Sequence, residues 1–355
     1  MEVDARYVSK LHPAVDYAAG AFLLVIGIMT VVGNLAVLAT AIKRWAHLKS
    51  PELLTINLAV TDLGMAVSMY PLAIASAWSH FWIGGDASCM YYALMGFFFG
   101  VASMMTLSVM AIVRYQVTAS PRSNHCKIKK SIVCVSISFI WLYSLVWAVM
   151  PLLGWGHYGP EPFGISCTIA WNESQNSVID SSFISCMFVL CTILPAGTIV
   201  LCYSSIAWKL HKVYQGIQNC ERITNSAKIE RKLTLMAIFV SLGFLSSWTP
   251  YAVVSLWSIF QSNEYIPPVV ALLPCLFAKA STAYNPFIYY MFSKAFRQEI
   301  KQLQCCCGWQ IHFSHPENTG ENPPVSVIWA GRDTVQISSA GKSNNQTATA
   351  TSCTE

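Results

Sequence analysis

The sequence predicts an all-α membrane protein with a seven-transmembrane helix bundle and a short cytosolic amphipathic helix. Of its 355 residues, 54% are hydrophobic and only 11% are charged, whereas a soluble globular domain has about 25% charged residues. Seven stretches are long and apolar enough to cross a bilayer, which takes roughly 20 mostly apolar residues. One such stretch could be a buried core helix, but seven in succession argue against that reading. They are residues 17–42, 53–78, 87–117, 131–153, 178–208, 230–260 and 267–291.

The charges of the loops predict how the chain is oriented. Lys and Arg occur in the loops after the first, third and fifth spans, whereas the loops after the second, fourth and sixth have neither. Because positive loops stay in the cytosol, we expect an extracellular N-terminus and a cytosolic C-terminus in the plasma membrane. The net charge of +5 then reflects orientation, and it does not indicate a nucleic-acid partner.

The chain divides into four predicted segments. Outside the spans, the last segment is rich in Ser, Thr, Asn, Gly and Pro, a composition typical of disorder. Its hydroxyl groups could accept phosphate that a partner recognises, although a plain solubilising tail fits equally well. The segments are an extracellular N-terminal tail at 1–16, the bundle at 17–292, the amphipathic helix at 293–304, and a cytosolic tail with candidate palmitoylation cysteines at 305–355.

Several positions are candidates for covalent modification. Cys89 and Cys167 are the only cysteines on the predicted outer side, which is oxidising, so we expect a disulfide between the third span and the second extracellular loop. Asn172-Glu173-Ser174 is a glycosylation sequon on the same side. Juxtamembrane cysteines are typical palmitoylation sites, although free cytosolic thiols are the alternative; the three here are Cys305, Cys306 and Cys307.

Lys279 is the residue that most strongly indicates chemistry. It lies near the middle of the seventh span, and no other charged residue occurs between Glu264 and Lys294. A charged Lys at that depth costs about 2.5–3.5 kcal/mol on insertion scales, and both ends of the span are too distant for easy snorkelling. An amine can condense with an aldehyde to form a Schiff base. A structural ion pair is the alternative reading.

Each predicted span contains a polar or helix-breaking signature, and the ordered set resembles the rhodopsin-like G-protein-coupled receptors. The resemblance covers about residues 17–307. A single signature would be weak, but one in each span, in order, is specific. They are Gly33-Asn34, Asn57 to Asp62, Val113-Arg114-Tyr115, Trp141, Pro195 with Tyr203, Trp248-Thr249-Pro250, and Asn285-Pro286 with Tyr289.

Within that family, Lys279 six residues before Asn285 resembles the opsins, most closely the neuropsin group. The resemblance implies that this Lys carries retinal covalently, as the 11-cis or the all-trans isomer or both. It also implies a pocket formed by Trp248 and Tyr251, with space left by two small residues on the third helix. These are Gly96 and Gly100, which could instead only permit close helix packing.

The acid that balances the retinal linkage is predicted to be unusual. Tyr92 stands where vertebrate visual opsins carry a Glu, and a neutral phenol cannot balance a cation. The resemblance makes Glu161 the candidate counterion, although it could be only a polar loop residue. Because a buried cation without a close anion has a lowered pKa, we expect a neutral dark-state Schiff base, ultraviolet or violet absorption, and a bistable photoproduct.

The same resemblance implies an activation switch near the cytosol. Val113 replaces the acid that usually precedes Arg114, so the resting lock on Arg114 is expected to be weaker. Glu230 matches the other usual partner of this Arg. The implied switch residues are Asp62, Arg114, Tyr203, Glu230, Asn285, Pro286 and Tyr289.

These observations predict a light-sensitive receptor rather than an enzyme, with no metal site. The implied partners are membrane lipid, a heterotrimeric G protein of the Gi type, and arrestin and a receptor kinase acting on the tail. The main alternative is a retinal photoisomerase with weak or no signalling, and a third reading is a receptor for a diffusible ligand. The histidines are scattered, and His80 and His157 are predicted to be ordinary loop residues.

Overall fold

The computed structural model of the chain describes residues 4–119, 128–171, 177–216, 225–260 and 266–306. Three predictions lie outside these residues: glycosylation at Asn172, modification at Cys307, and disorder of the remaining tail. Within the described ranges, the side chains of Glu230, Cys305 and Cys306 are also outside the described set.

Within these described ranges, seven long helices form a bundle, as the sequence predicted. By length and composition, six of them could each cross a membrane, and the seventh is a 25-residue helix that carries Lys279. The fifth runs from Val178–Met187 through a π-helical turn at Phe188–Ile193 into Leu194–Gly216. The helices are α1 (Pro13–Lys43), α2 (Ser50–Ser79), α3 (Gly85–Ala119), α4 (Lys130–Val149), α5 (178–216), α6 (Asn225–Phe260) and α7 (Pro268–Phe292), followed by the short α8 (Lys294–Cys306).

The first helix begins at Pro13, four residues before the predicted start of the first span. Proline suits the first helical position because its fixed φ is helical and its missing N–H would be unsatisfied there. His12 caps the helix by accepting a hydrogen bond from the Ala14 N–H at 3.2 Å. The extra turn buries Asp16 completely, a residue that the sequence had placed in the N-terminal tail.

A two-stranded hairpin covers the end of the bundle that the loop charges predict to be extracellular. Its strands, β1 (Tyr158–Pro160) and β2 (Cys167–Ile169), pair antiparallel with Pro160 opposite Cys167. The predicted disulfide is confirmed: it joins Cys167 to Cys89 on α3. Gly164, at φ 89° in the intervening turn, lies where an added Cβ would collide with the Val8 carbonyl, so a residue without a side chain is needed there.

The prediction for the two histidines was incomplete, because each pairs with a buried aspartate near this same end of the bundle. His80 ends α2 in the left-handed region and contacts Asp16, with 2.8 Å between Nδ1 and Oδ2. His157 contacts Asp180, with 2.7 Å between Nδ1 and Oδ1. Two carboxylates that burial would otherwise penalise are thereby hydrogen bonded, and the loops are tied to the helices.

Inside the bundle, Asn57 ties three helices together. Its Nδ2 donates to Thr106 Oγ1 on α3 at 2.8 Å, and its Oδ1 accepts from the Trp141 indole on α4 at 2.9 Å. A polar side chain at membrane depth must find such partners. This network holds α2, α3 and α4 in register below the cavity described next.

Candidate functional site: the cavity around Lys279

A large cavity lies inside the bundle beneath the hairpin. The empty space within it, counted together with its opening to solvent, is about 1030 Å³. The walls come from α2, α3, α5, α6, α7 and the hairpin, and they are mainly apolar or aromatic, with a few polar groups. Lining residues include Met69, Phe188, Trp248, Tyr251, Glu161 and Lys279.

Lys279 reaches this cavity from α7, and neighbouring helices anchor its backbone. Tyr70 on α2 donates its hydroxyl to the Lys279 carbonyl at 2.8 Å and also lies 2.9 Å from Thr282 Oγ1. The Lys279 amine donates to the Cys275 sulfur at 2.8 Å. In the part of the chain that the structure describes, Lys279 forms no ion pair with a carboxylate.

Glu161 projects from the hairpin and is 6% exposed. The Tyr251 hydroxyl donates to its Oε1 at 2.9 Å and lies 2.7 Å from Thr168 Oγ1 on β2. Burial raises the pKa of the Glu161 carboxyl to about 7, although the Tyr251 hydrogen bond and the nearby Lys279 charge both favour the ionised form. The hydrogen bond also links the hairpin to α6.

Trp248 contributes its ring to the lower wall, two residues before Pro250 on α6. Its indole donates to Ser281 Oγ on α7 at 3.1 Å, and its ring stacks on Phe244 with centroids 5.5 Å apart. The Tyr251 ring stands edge-on to it. An aromatic wall of α6 is therefore fastened to α7 next to the helix-bending proline.

The two predicted glycines both line the cavity but differ in what surrounds them. A Cβ added at Gly100 would lie 3.4 Å from the Trp248 ring, so this glycine leaves space beside the aromatic wall. At Gly96 an added Cβ would lie 2.7 Å from the Met69 methyl group. Close packing against a flexible side chain therefore explains part of the need for glycine at this second position.

Tyr92 lines a second, smaller cavity on the other side of Lys279, with an empty volume of about 290 Å³. Its hydroxyl accepts a long hydrogen bond from Ser166 at 3.4 Å. The Lys279 amine lies 5.7 Å from the centre of the Tyr92 ring. Cys275 and Lys279 line both cavities, so the amine stands at their junction.

The predicted switch residues are spread through the lower half of the bundle. Asn285 donates to Asp62 Oδ2 at 2.9 Å, which connects α7 to α2. Tyr203 lies 3.3 Å from Ser241 Oγ on α6. The remaining described members, Arg114, Pro286 and Tyr289, are buried, and Val113 is buried beside Arg114 in the apolar core.

Sequence reasoning missed two groups in the site. Cys275 lies four residues before Lys279, a spacing that places two helical residues on the same face and could have identified it. Thr168 bonds to Tyr251 only because the hairpin folds over the bundle, and no local pattern reveals that contact. Among the described residues, no group of three or more His, Cys, Asp or Glu side chains could hold a metal ion.

Comparisons with known proteins agree with this geometry. A family model described as 7 transmembrane receptor (rhodopsin family) matches residues 33–289. Opsin-5 of Mus musculus is 38% identical over 292 residues, which cover 82% of this chain and 77% of that protein. Visual pigment-like receptor peropsin of Mus musculus is 33% identical, covering 84% and 86%. The crystal structure of squid rhodopsin matches with a TM-score of 0.77 and 31% identity, covering 86% and 87%.

Proposed function

The chain belongs to the opsins within the rhodopsin family of seven-transmembrane receptors, and we propose that it is a photoreceptor carrying retinal on Lys279. It is a multi-pass membrane protein of that family's fold. We place it in the plasma membrane with its N-terminus outside. The observation that carries the proposal is the amine of Lys279 opening into a large apolar cavity.

The residues that line the cavity fit the chemistry of retinal. A long apolar polyene needs apolar walls, and aromatic side chains from α5 and α6 supply them around about 1030 Å³ of space. Its aldehyde needs an amine with which to condense, and Lys279 lines that space. Gly100 leaves room for a flat group beside Trp248. When bound, retinal supplies the absorption of light and a change of shape.

The protein's own groups favour a neutral linkage nitrogen in the dark. Tyr92 brings a phenol, not a carboxylate, to within 5.7 Å of the amine, measured from the ring centre. Glu161, the candidate counterion, is hydrogen bonded to Tyr251, and its raised pKa of about 7 leaves a large fraction protonated at neutral pH. A cation at Lys279 would therefore lack a full negative charge nearby, which supports ultraviolet or violet absorption.

Signalling would pass from the cavity to the cytosolic end along α6 and α7. A group that presses on Trp248 acts next to Pro250, and the same ring is hydrogen bonded to Ser281 on α7. Two arrangements of these helices, biased by the buried ligand, would form a two-state switch. Its output is a heterotrimeric G protein of the Gi type, with arrestin and a receptor kinase acting on the tail.

A retinal photoisomerase is the second candidate, because Val113 stands where the family usually places an acid beside Arg114. Val113 is an apolar side chain, 5% exposed, at a position where an acid usually stabilises the resting state. A buried ion pair need not add net stability, because the cost of removing its charges from water offsets much of their attraction, so the missing acid is compatible with signalling. Light-driven release of a retinal isomer without nucleotide exchange on a G protein would distinguish this function.

The attachment site can be tested by chemical trapping. Borohydride reduction after illumination should fix retinal to the wild-type protein and to Lys294→Ala, which removes a lysine at the start of α8. The Lys279→Ala variant should form no pigment and retain no retinal. Trapping of retinal on Lys279→Ala would show that another amine carries it.

A further inference from the structure

Cys275 and Lys279 form a close pair inside the bundle. They lie four residues apart on α7, so their side chains share one helix face. The Lys279 amine donates to the Cys275 sulfur at 2.8 Å, and Cys275 is only 5% exposed. Because both residues line both cavities, the thiol stands beside the nitrogen that would receive retinal.

Other polar groups near this nitrogen also have partners of their own. The Glu161 carboxylate accepts its hydrogen bond from Tyr251 on α6. Tyr92 presents the face of its ring, 5.7 Å from the amine, and its hydroxyl accepts from Ser166. The Tyr92 hydroxyl also interacts with the amine, and the thiol accepts the amine's 2.8 Å hydrogen bond.

The pair is also held independently of the loops. Both residues belong to one helix, and Tyr70 fixes that helix by bonding to the Lys279 carbonyl at 2.8 Å. Movement of the hairpin or of α6 would change the surroundings of Glu161 but would leave the spacing of Cys275 and Lys279 unchanged.

We propose that Cys275 is a positioning residue for retinal attachment, whose thiol hydrogen bonds to the Lys279 nitrogen and holds it at the junction of the two cavities. This rests on the proposed function of Lys279. A thiol is both a weak donor and a weak acceptor. It can therefore accept from the amine before attachment and donate to a neutral nitrogen afterwards. Serine has the same two capacities, whereas alanine has neither.

The contact can be tested in the protein without retinal by infrared spectroscopy of the S–H stretch. The band that disappears in both Cys275→Ser and Cys275→Ala belongs to this thiol. It should change frequency in Lys279→Ala, because its hydrogen-bond partner is gone. Cys191 provides the matched control: it lines the large cavity but bonds to Tyr143, and its band should stay unchanged in Lys279→Ala. A Cys275 band that Lys279→Ala does not move would overturn the proposal.

The positioning role has a second readout in the rate of pigment formation. Loss of one hydrogen bond, worth about 0.5–1.5 kcal/mol, should slow retinal uptake by about two- to tenfold in Cys275→Ala. Cys275→Ser should restore most of the rate. Cys134→Ala, which removes an exposed free cysteine of α4 that lines neither cavity, should match wild type. Equal rates in wild type and Cys275→Ala would reject the role. If wild type takes up no retinal, the proposed function fails, whereas the infrared result on the thiol contact still stands.

Discussion

At Glu161, the loss of water around a carboxyl group outweighs the two groups that favour its charge. Desolvation raises its pKa from 4.5 to about 7. Between these pH values the folded protein binds a proton that the unfolded chain has released, so stability falls as the pH rises. Each pKa unit corresponds to about 1.4 kcal/mol, so the full effect is on the order of 3 kcal/mol.

This effect predicts a specific pH dependence for the retinal-free protein. The wild-type unfolding temperature should drop as pH rises from 5 to about 8, and Glu161→Gln should remove most of that drop because Gln does not ionise. Thermal unfolding in detergent across this range measures it. Parallel curves for the two proteins would show that Glu161 does not titrate as its burial indicates.

Tyr92 gives a second prediction at the scale of one residue. A carboxylate at this position would lie close to the Lys279 nitrogen, and a nearby opposite charge favours the protonated form. Tyr92→Glu should therefore shift the dark pigment from ultraviolet or violet absorption into the visible. Tyr92→Phe, which adds no charge, should keep the wild-type spectrum. A wild-type pigment that already absorbs in the visible and is unchanged by Tyr92→Glu would contradict the argument.

Whether the role of a residue could be predicted from the sequence depends on how far along the chain its partners lie. Lys279 stood out from sequence alone because a charge in an apolar span is costly. Glu161 needed the resemblance, since its burial arises only when the hairpin folds over the bundle. Cys275 was missed although its spacing from Lys279 is local, because Cys behaves as a small apolar residue in most helices.

Among the elements, the hairpin most directly links stability to the site. The disulfide between Cys167 and Cys89 fastens it to α3, and Glu161 lies in the turn between its two strands. Removing a disulfide from an extracellular setting costs about 2–5 kcal/mol. Cys89→Ala and Cys167→Ala should therefore each lower surface expression and pigment yield.

A matched control for the disulfide is Cys134→Ala, which removes an exposed free cysteine of α4. It should express and regenerate like wild type in a surface-labelling and absorbance assay. Normal surface expression and regeneration of either disulfide variant would refute the assigned role of the bond.

The helices themselves were predictable because apolar length and loop charge act locally along the chain. The predicted spans differ from the helices mainly at their ends, because capping residues determine where each helix begins and ends. Pro13 starts α1 early, and His80 ends α2 in a left-handed conformation. The short strands and their register could not be predicted, because they depend on the disulfide and on contacts with the N-terminal segment.

At the scale of the whole molecule, the arrangement predicts a reversible switch between two coloured states. If Glu161 balances the charge from the hairpin after illumination, the attached retinal remains protected from water and a longer wavelength should drive the protein back. An opposite charge nearby favours the protonated form of the Schiff-base nitrogen. Glu161→Gln should therefore lower the pKa of that nitrogen in the photoproduct. Equal pKa values in a titration of the two illuminated pigments would remove Glu161 from this role.

The most direct test of light signalling through Lys279 is nucleotide exchange on a purified Gi-type G protein. Wild-type protein reconstituted with retinal should accelerate exchange on illumination, and a second, longer wavelength should reverse the acceleration. Lys279→Ala, treated identically, should give the same low rate in light and dark. Illumination that releases a retinal isomer from the wild type while exchange stays at its dark rate would contradict the account and identify the protein as a photoisomerase.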